Sequence, residues 1–477
     1  MGKQQMSSAD AAWLHMDRPT NLTVVSCVLW FEEPMEIGRA RNVVSKRLVD
    51  RFPRFRQRIV EPRLGVGMPS WEDDRSFDLN RHMHHIALPA PSDTAALQEL
   101  VSDLIATPLD RSKPLWDMYI VDGYGAGTAL VARLHHCIAD GIALARVLIS
   151  MTDERPDAGI VETADDEAAH GRLDTLVHTV SVSAHLAEAA MHEGFELLGH
   201  PRPEVRRLTE RTAAHTKALA KLLLTPPDGK TVLRGELGAA QKALWTDRIA
   251  LEEVKAIGQA TGTTVNDVLV TAMTGALGRY LEGRGSVVDD LRAMIPVNLR
   301  PAGEPLPREL GNRFGLVYLQ LPVGIRDRQQ RLDEVHRRMD RIKNSPEAAV
   351  QYGILGVVGL TPPQVERRLV DLFSSKATLV LTNVPGPRHP VYFAGTRVAG
   401  VVGWVPGAGS IGVGISIFSY DRGVTVGLRV DAGLVPDPQA IIDAFEQELT
   451  DLAQLPFLVP KPARRASARP SGAQPVR

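Results

Sequence analysis

The tightest constraint on this chain lies at residues 134–141, where the pair His135-His136 is followed, after three residues, by Asp140-Gly141. The residues before the pair are apolar and favour a strand, and those after Gly141 favour a helix. The pair is therefore predicted at the end of a buried strand, where the chain turns into a helix. Such a junction is typical of folds in which strands and helices alternate.

The rest of the sequence shows the same alternation in both halves, which predicts an α/β fold with two lobes. The predicted strands are 23–31, 118–121, 128–134, 291–297, 315–321, 377–381 and 424–431. The predicted helices are 97–105, 265–281, 327–343 and 438–452. The last strand alternates apolar with polar residues, so we expect it to be half-buried.

Changes in composition predict four segments. An N-terminal lobe (1–152) carries the histidine pair, and a helical crossover (153–235) joins it to a C-terminal lobe (236–459). A basic tail (460–477) contains proline, alanine and arginine but no acidic residue. The tail is therefore expected to be disordered.

Charge, cysteine content and histidine spacing exclude several classes of protein. Lys plus Arg number 55 and Asp plus Glu number 56, a balance that argues against nucleic-acid binding. Cys27 and Cys137 are too few for a disulfide framework or a multi-cysteine zinc site, and they indicate a reducing compartment. His82, His84 and His85 lack an accompanying carboxylate or cysteine pattern, so a solvated strand is favoured and no metal site is predicted.

An uncharged stretch, 398–420, is long enough to span a bilayer. Proline and glycine residues would break a helix there, so buried strands joined by tight turns are favoured. These residues are Pro406 and glycines 400, 403, 407, 409, 412 and 414. The glycine-rich part, 407–414, lacks the Lys-Ser/Thr of a phosphate-binding loop and indicates strand and turn.

His136 is the strongest catalytic candidate. It continues the apolar strand face of Leu130, Ala132 and Leu134, and a buried imidazole can be oriented and kept neutral as a base. The alternative is a core histidine with satisfied hydrogen bonds and no part in chemistry; the doublet followed by Asp-Gly favours the catalytic interpretation. Cys137 faces the other way along the strand, which disfavours a Cys-His nucleophilic pair.

The motif His-His-x-x-x-Asp-Gly resembles the signature of the CoA-dependent acyltransferase superfamily. Further motifs resemble those of the bacterial wax ester synthase / acyl-CoA:diacylglycerol acyltransferase family, over about residues 8–455. They are the N-terminal segment 8–33, Pro-Leu-Trp at 114–116, Asn-Asp at 266–267, Ile-Pro-Val-Asn-Leu-Arg-Pro at 295–301, Gly-Asn at 311–312, Thr-Asn-Val-Pro-Gly-Pro at 382–387 and Ser-Tyr at 419–420. The parts of this sequence that depart from the family's pattern are the crossover and the tail, where the family itself varies.

The resemblance implies an α+β two-layer sandwich with two chloramphenicol-acetyltransferase-like lobes and an active-site tunnel between them. It also implies an O-acyltransferase that moves a long-chain acyl group from acyl-CoA to the hydroxyl of a diacylglycerol or a fatty alcohol. His136 would be the general base. Acyl-CoA would be a substrate, and no cofactor is expected.

The residues expected to support His136 are Asp140, Arg300, His135 and Gly141. In the superfamily the aspartate of the motif pairs with an arginine, which implies that Asp140 fixes the histidine loop, with Arg300 as its candidate partner. From the residues alone, Asp140 could simply cap the helix that begins near Gly141. His135 is expected to pack or to form hydrogen bonds.

The remaining candidates have structural alternatives. Asn266 could orient substrate or stabilise an oxyanion. Asp267 forms a predicted capping box with Thr264, which is a sufficient structural role. Trp116 could line the acyl channel but is more typical of a core aromatic residue, and Asn383 precedes a Pro-Gly-Pro turn and is expected to be structural although the family places this stretch near the tunnel.

Two other functions stay open at this point. One is an acyltransferase of the same superfamily with a carrier-protein donor or a different acceptor, and the other is a catalytically silent lipid-binding homologue. Residues 1–10 lack the apolar core of a signal peptide, and the acceptors dissolve in membranes. We therefore expect a cytoplasmic protein attached peripherally to the inner membrane face or to lipid inclusions. The helix 173–198 and the neighbouring Arg202, Arg206 and Arg207 could make this contact, unless that helix merely packs between the lobes.

Overall fold

The computed structural model describes residues 3–62, 67–159, 224–300, 304–343, 352–354, 361 and 363–455. The predicted helix 173–198, Arg202, Arg206, Arg207 and the basic tail lie outside these residues. Each strand and helix predicted within the described residues is present within a few residues of its expected ends. Two large sheets, each covered by helices, result from this pattern.

The described strands are numbered in chain order. They are β1 Gln4–Gln5, β2 Val24–Phe31, β3 Gln57–Val60, β4 Ser70–Asp73, β5 Met83–Ala87, β6 Trp116–Tyr124, β7 Gly127–His135, β8 Thr152–Asp153, β9 Gln241–Trp245, β10 Ile249–Ala250, β11 Leu291–Asn298, β12 Phe314–Leu321, β13 Leu379–Pro385, β14 Tyr392–Phe393, β15 Thr396–Trp404, β16 Val413–Tyr420 and β17 Gly423–Asp431.

The described α-helices are numbered in the same way. They are α1 Ser8–His15, α2 Ile37–Val43, α3 Thr94–Ala106, α4 Gly141–Ser150, α5 Leu251–Thr261, α6 Val265–Glu282, α7 Arg328–Lys343, α8 Pro363–Ser374 and α9 Gln439–Ala453. A π-helical turn, Val44–Val49, continues α2. Short 3-10 helices occupy Pro53–Arg56 and Leu79–Arg81.

The first large sheet has the strand order β5-β6-β7-β2-β15-β14-β8. Helices α1, α2 and α4 pack on one face, and α3 packs on the other. Strand β7 is therefore buried along its full length, with Leu130, Ala132 and Leu134 on the first face and Ala129 and Val131 on the second. This is the alternation that the sequence predicts for the strand leading to the histidine pair.

The second large sheet has the order β10-β17-β16-β13-β11-β12, and β9 also pairs with β17. Strand β13 lies parallel to both β11 and β16. Helices α5, α6, α7 and α9 share a core with the outer face of this sheet. The inner face turns toward the first sheet, where β16 and β17 contact β15. A small third sheet, β1-β4-β3, lies in the N-terminal part of the chain.

Strands β14 and β15 come from the C-terminal part of the chain but belong to the first sheet. Strand β15 pairs antiparallel with β2, from Trp404 opposite Ser26 to Val398 opposite Phe31. The predicted lobes are continuous segments of the chain, whereas the first sheet is not. Residues 392–404, from the C-terminal part of the chain, complete the sheet of the N-terminal lobe. The chain then returns to the second sheet through β16.

The uncharged stretch 398–420 forms most of β15 and β16, as the sequence predicts, and not a helix. Among the described residues, no helix combines the length and the apolar character needed to cross a membrane.

The expectation that residues 424–431 form a half-buried strand is wrong. Strand β17 is buried along its whole length. The face that carries Thr425, Gly427 and Arg429 is covered by the first sheet, and a Cβ built on Gly427 would lie 2.7 Å from Nε1 of Trp404. Alternating polarity indicates that one face of a strand meets solvent, provided that no other element packs on that face. Here β15 packs on the polar face of β17.

Candidate active site

A cavity lies between the two large sheets, where about 690 Å3 of space, part of it open solvent, is free of protein atoms. Most of its lining is apolar, as expected for a site that takes an apolar ligand. The N-terminal lobe contributes Trp13, His136, Asp140, Gly141 and Ile142. Strands β11 to β13 and the loop after β15 contribute Met294, Pro296, Asn298, Phe314, Leu316, Val380, Thr382, Asn383, Val384, Val405, Pro406 and Ala408.

His136 follows the last residue of β7, lines this cavity and is 3% exposed. Its backbone N–H donates to the carbonyl of Thr23 at 2.8 Å, and its own carbonyl accepts from Nδ2 of Asn312 at 2.8 Å. Trp13 stacks on the imidazole with 4.0 Å between ring centroids, and the Phe314 ring lies at 5.5 Å. The backbone contacts and the flanking rings together fix the orientation of the imidazole.

The cavity favours the neutral form of this imidazole. Burial lowers the pKa of His136 to about 4, because the imidazolium would lose its hydration, and the negative charge of Asp140 offsets only part of this effect. Nδ1 is buried without a hydrogen-bond partner among the described residues, and the imidazole lines the cavity. The site therefore presents an unprotonated nitrogen to a ligand near pH 7.

Asp140 is buried and anchors the loop that carries His136. It is the N-cap of α4, where Oδ1 accepts from the Ala143 amide at 2.9 Å. Its Oδ2 forms an ion pair with the guanidinium of Arg300 and accepts from the Arg313 amide at 3.0 Å. Both interpretations from the sequence, the cap and the ion pair with Arg300, are present together.

A second set of contacts ties the histidine loop to helix α1. Asp10 accepts from the backbone amide and from Nδ2 of Asn312 at 3.0 and 2.8 Å. The Gly311 amide donates to the carbonyl of Ile138 at 3.0 Å. Burial raises the pKa of Asp10. Asn312 thus joins Asp10 on α1 to the backbone of His136.

The neighbours of His136 have structural contacts. Nε2 of His135 lies 3.0 Å from the hydroxyl of Thr23, and Nδ1 accepts from the Cys137 amide at 3.2 Å. Burial raises the pKa of the Cys137 thiol well above its usual range, which leaves it a poor nucleophile. Gly141 is the first residue of α4 and lines the cavity.

Asn266, Asp267 and Asn383 lie together where α6 begins. Asp267 and Thr264 form the predicted capping box, and Nδ1 of His336 lies 2.8 Å from the Asp267 carboxylate. Nδ2 of Asn383 donates to Oδ1 of Asn266 at 2.7 Å. Asn383 lines the cavity. Asn266 does not line it and lies behind Asn383, to which it is hydrogen-bonded.

Trp116 lies in the core and not along the cavity. It is fully buried, Nε1 donates to the carbonyl of Phe55 at 2.8 Å, and its ring stacks on His82 at 4.5 Å. The core interpretation therefore describes Trp116 better than the channel interpretation. His82 is buried rather than solvated, and only His84 and His85 lie on β5. The described part of the chain contains no cluster of metal-ligating side chains.

The sequence did not identify Trp13, Phe314 or Asn312 as site residues. Each lies far from His136 in the chain and reaches it only through the packing of α1 and β12 against the end of β7. The sequence indicates these residues only indirectly: Trp13 lies in the family-like segment 8–33, and Asn312 lies in the family-like segment 311–312.

Solved structures with the same architecture define the class of fold. The chain is similar to the wax ester synthase/diacylglycerol acyltransferase from Marinobacter aquaeolei VT8, with a TM-score of 0.67, 22% identity and coverage of 94% of this chain and 98% of that one. It is also similar to the first condensation domain of the calcium-dependent antibiotic synthetase, with a TM-score of 0.58, 15% identity and coverage of 96% and 98%. The mixed α/β, chloramphenicol-acetyltransferase-like fold with two lobes is the one predicted.

Family models narrow this class. Residues 6–269 match the wax ester synthase/diacylglycerol acyltransferase catalytic domain, and residues 310–453 match the C-terminal domain of the same family. The chain therefore belongs to the wax ester synthase/diacylglycerol acyltransferase family. Two Mycobacterium tuberculosis proteins that are provisionally named diacylglycerol O-acyltransferases are similar to it. One is 27% identical, with 94% of this chain and 90% of the relative covered, and the other is 29% identical, with 94% and 99% covered.

Proposed function

We propose that the protein transfers a long-chain acyl group from acyl-CoA to the hydroxyl of a diacylglycerol or a fatty alcohol. The observation that carries this proposal is the neutral, stacked imidazole of His136 in a largely apolar cavity between two lobes. An apolar lining suits acyl chains, and the position between lobes allows two substrates to meet at one base. Membership of the family, and the names of its mycobacterial relatives, support the same reaction.

An alcohol is a poor nucleophile until its proton is removed. Nε2 of His136 takes this proton as the hydroxyl oxygen bonds to the thioester carbon. When the tetrahedral intermediate collapses, the carbon–sulfur bond breaks and the CoA thiolate recovers the proton from His136. Because the alcohol attacks the thioester directly and the thiolate leaves with the proton from His136, no covalent enzyme intermediate is needed.

The supporting residues act on the loop rather than on the substrate. Asp140 and Arg300 hold the loop against the second lobe, and Asn312 holds the carbonyl of His136. The buried polar groups around His136 therefore position the imidazole, and the imidazole alone transfers the proton.

We also propose that the protein works at a membrane or lipid-inclusion surface, on the cytoplasmic side, because both acceptors dissolve in lipid. Flotation with vesicles that contain dioleoylglycerol tests this; protein that stays at the bottom of the gradient contradicts it.

The decisive assay supplies labelled palmitoyl-CoA with hexadecanol or dioleoylglycerol and compares wild type with His136→Ala. We expect wax ester, triacylglycerol or both from the wild type, and a loss of at least about 100-fold in the variant, since a general base contributes about that much or more. A parallel reaction with a palmitoyl carrier-protein thioester tests the other donor class.

His85→Ala is the matched control, because His85 lies on the edge strand β5 and is exposed. It should retain wild-type activity. Equal ester formation by wild type and His136→Ala would overturn the role of His136, and no ester from any donor with the wild type would favour a lipid-binding homologue.

A further inference from the structure

Asn298, the last residue of β11, is the polar member of an apolar wall. Five side chains of β11 and β12 line the cavity from one face of the second sheet, and all of them except Asn298 are apolar. They are Met294, Pro296, Asn298, Phe314 and Leu316. Asn298 is 7% exposed, and a buried amide needs hydrogen-bond partners.

The amide of Asn298 is oriented by its neighbour. Its Oδ1 accepts from the backbone N–H of Arg300 at 3.1 Å. The oxygen and nitrogen of a carboxamide diverge from one trigonal carbon, so an Oδ1 held by the Arg300 amide leaves Nδ2 pointing away from that amide. No described residue accepts a hydrogen bond from Nδ2, and the residue lines the cavity. The side chain therefore offers two N–H donors to a ligand.

Strand register places this donor beside the base. Asn298 lies directly opposite Phe314 in the antiparallel pair β11-β12, and the Phe314 ring lies 5.5 Å from the ring of His136. Directly opposed residues share a face and have Cβ atoms about 4.5–5.5 Å apart. Arg300, two residues further on, is ion-paired with Asp140. Asn298 and His136 thus both lie next to Phe314 and both line the same cavity.

We propose that Asn298 is the oxyanion donor of the acyl transfer, an inference that rests on the proposed function. As the alcohol oxygen bonds to the thioester carbon and its proton passes to His136, the π electron pair of the carbonyl moves to oxygen. Nδ2–H of Asn298 donates to this oxyanion. The pair then returns to re-form the carbonyl, the carbon–sulfur bond breaks, and the thiolate takes the proton from His136.

Asn298 suits this role better than Asn266, which the sequence analysis named as a possible oxyanion residue. Asn266 does not line the cavity, and its Oδ1 is occupied by Asn383. The cavity-lining amide of that pair, Asn383, uses a donor on Asn266. The amide of Asn298 instead accepts at one end and leaves its donor end toward the cavity.

The test is Asn298→Asp, which keeps an oxygen for the Arg300 amide and removes the donor. We expect kcat to fall by about 100- to 1,000-fold, the usual effect of losing one oxyanion donor, with little change in KM for acyl-CoA or in the thermal midpoint. Asn298→Ala lacks the donor without adding charge and should show the same loss of kcat. It keeps the test decisive if the aspartate variant does not fold.

Asn42→Asp, the same change at an exposed position of α2, should match wild type. A folded Asn298 variant with at least about a tenth of wild-type kcat would overturn the proposal, as would a loss confined to KM. His136→Ala is assayed in parallel to separate the two ideas. If His136→Ala is inactive while Asn298→Asp turns over normally, only the role of Asn298 fails. If His136→Ala is as active as wild type, the role of His136 fails, and if the wild type forms no ester from any donor, the proposed function itself fails.

Discussion

At the scale of single residues, the proposed chemistry depends on how strongly the cavity suppresses protonation of His136. The folded residue has a pKa of about 4, whereas an exposed histidine titrates near 6.5. Between these pH values the unfolded chain binds more protons than the folded one, so stability falls as the pH drops from about 6.5 toward 4. The same burial that keeps the base neutral makes its site less stable in acid.

The pH dependence of turnover follows from this pKa. We expect kcat/KM to show no loss between pH 8 and 6 from titration of His136, and to fall only as the pH approaches 4. Trp13→Ala should admit water to the imidazole, raise its pKa, and move the acid limb of the profile to higher pH. Trp13→Phe keeps an aromatic ring over the imidazole and is the control. A wild-type profile that breaks near pH 6.5 would contradict this account.

We expect the pair Asp140–Arg300 to contribute to stability more than to chemistry. Both side chains are 3% exposed, and breaking a buried ion pair leaves one charge without compensation. We expect Asp140→Asn to lower the free energy of unfolding by about 3–5 kcal/mol, measured by urea denaturation. Asp50→Asn removes an exposed partner of Lys46 and should change it little. Normal stability with abolished turnover would show that Asp140 takes part in the reaction.

At the scale of helices and strands, the sequence predicts what is encoded locally. The end of β7, the cap Asp140 of α4 and the capping box of α6 all depend on residues within a few positions of one another. The partner of Asp140 is an exception, since Arg300 is distant in the chain and was identified only through the family resemblance.

The features that the sequence did not predict depend on contacts with distant parts of the chain. The polar face of β17 is buried because β15, which lies in the other sheet, covers it. Trp13 lies on a helix whose residues Ala9 to Leu14 are all buried, so its own pattern carries no sign of which ring it meets. Nor does the sequence around Asn298 indicate that Phe314 stands opposite it, because strand register is set by tertiary pairing.

At the scale of the whole molecule, the two lobes share a sheet. Residues 1–159 contain β2 without its partner β15, so this fragment exposes a long, apolar strand edge. We expect the fragment to aggregate, or to lack a cooperative thermal transition, by size-exclusion chromatography and calorimetry. Adding residues 390–406 through a flexible linker should restore a monomer. A monomeric, cooperatively folding 1–159 would contradict this view of the fold.

Strand β15 is bonded to β2 and runs directly into Val405 and Pro406, which form part of the cavity wall. Because β15 belongs to the first sheet, any movement of the second sheet relative to it has to bend the connection between β15 and β16, which carries Val405, Pro406 and Ala408 of the cavity wall. A change in the distance between the two sheets would therefore also change the shape of the cavity beside His136.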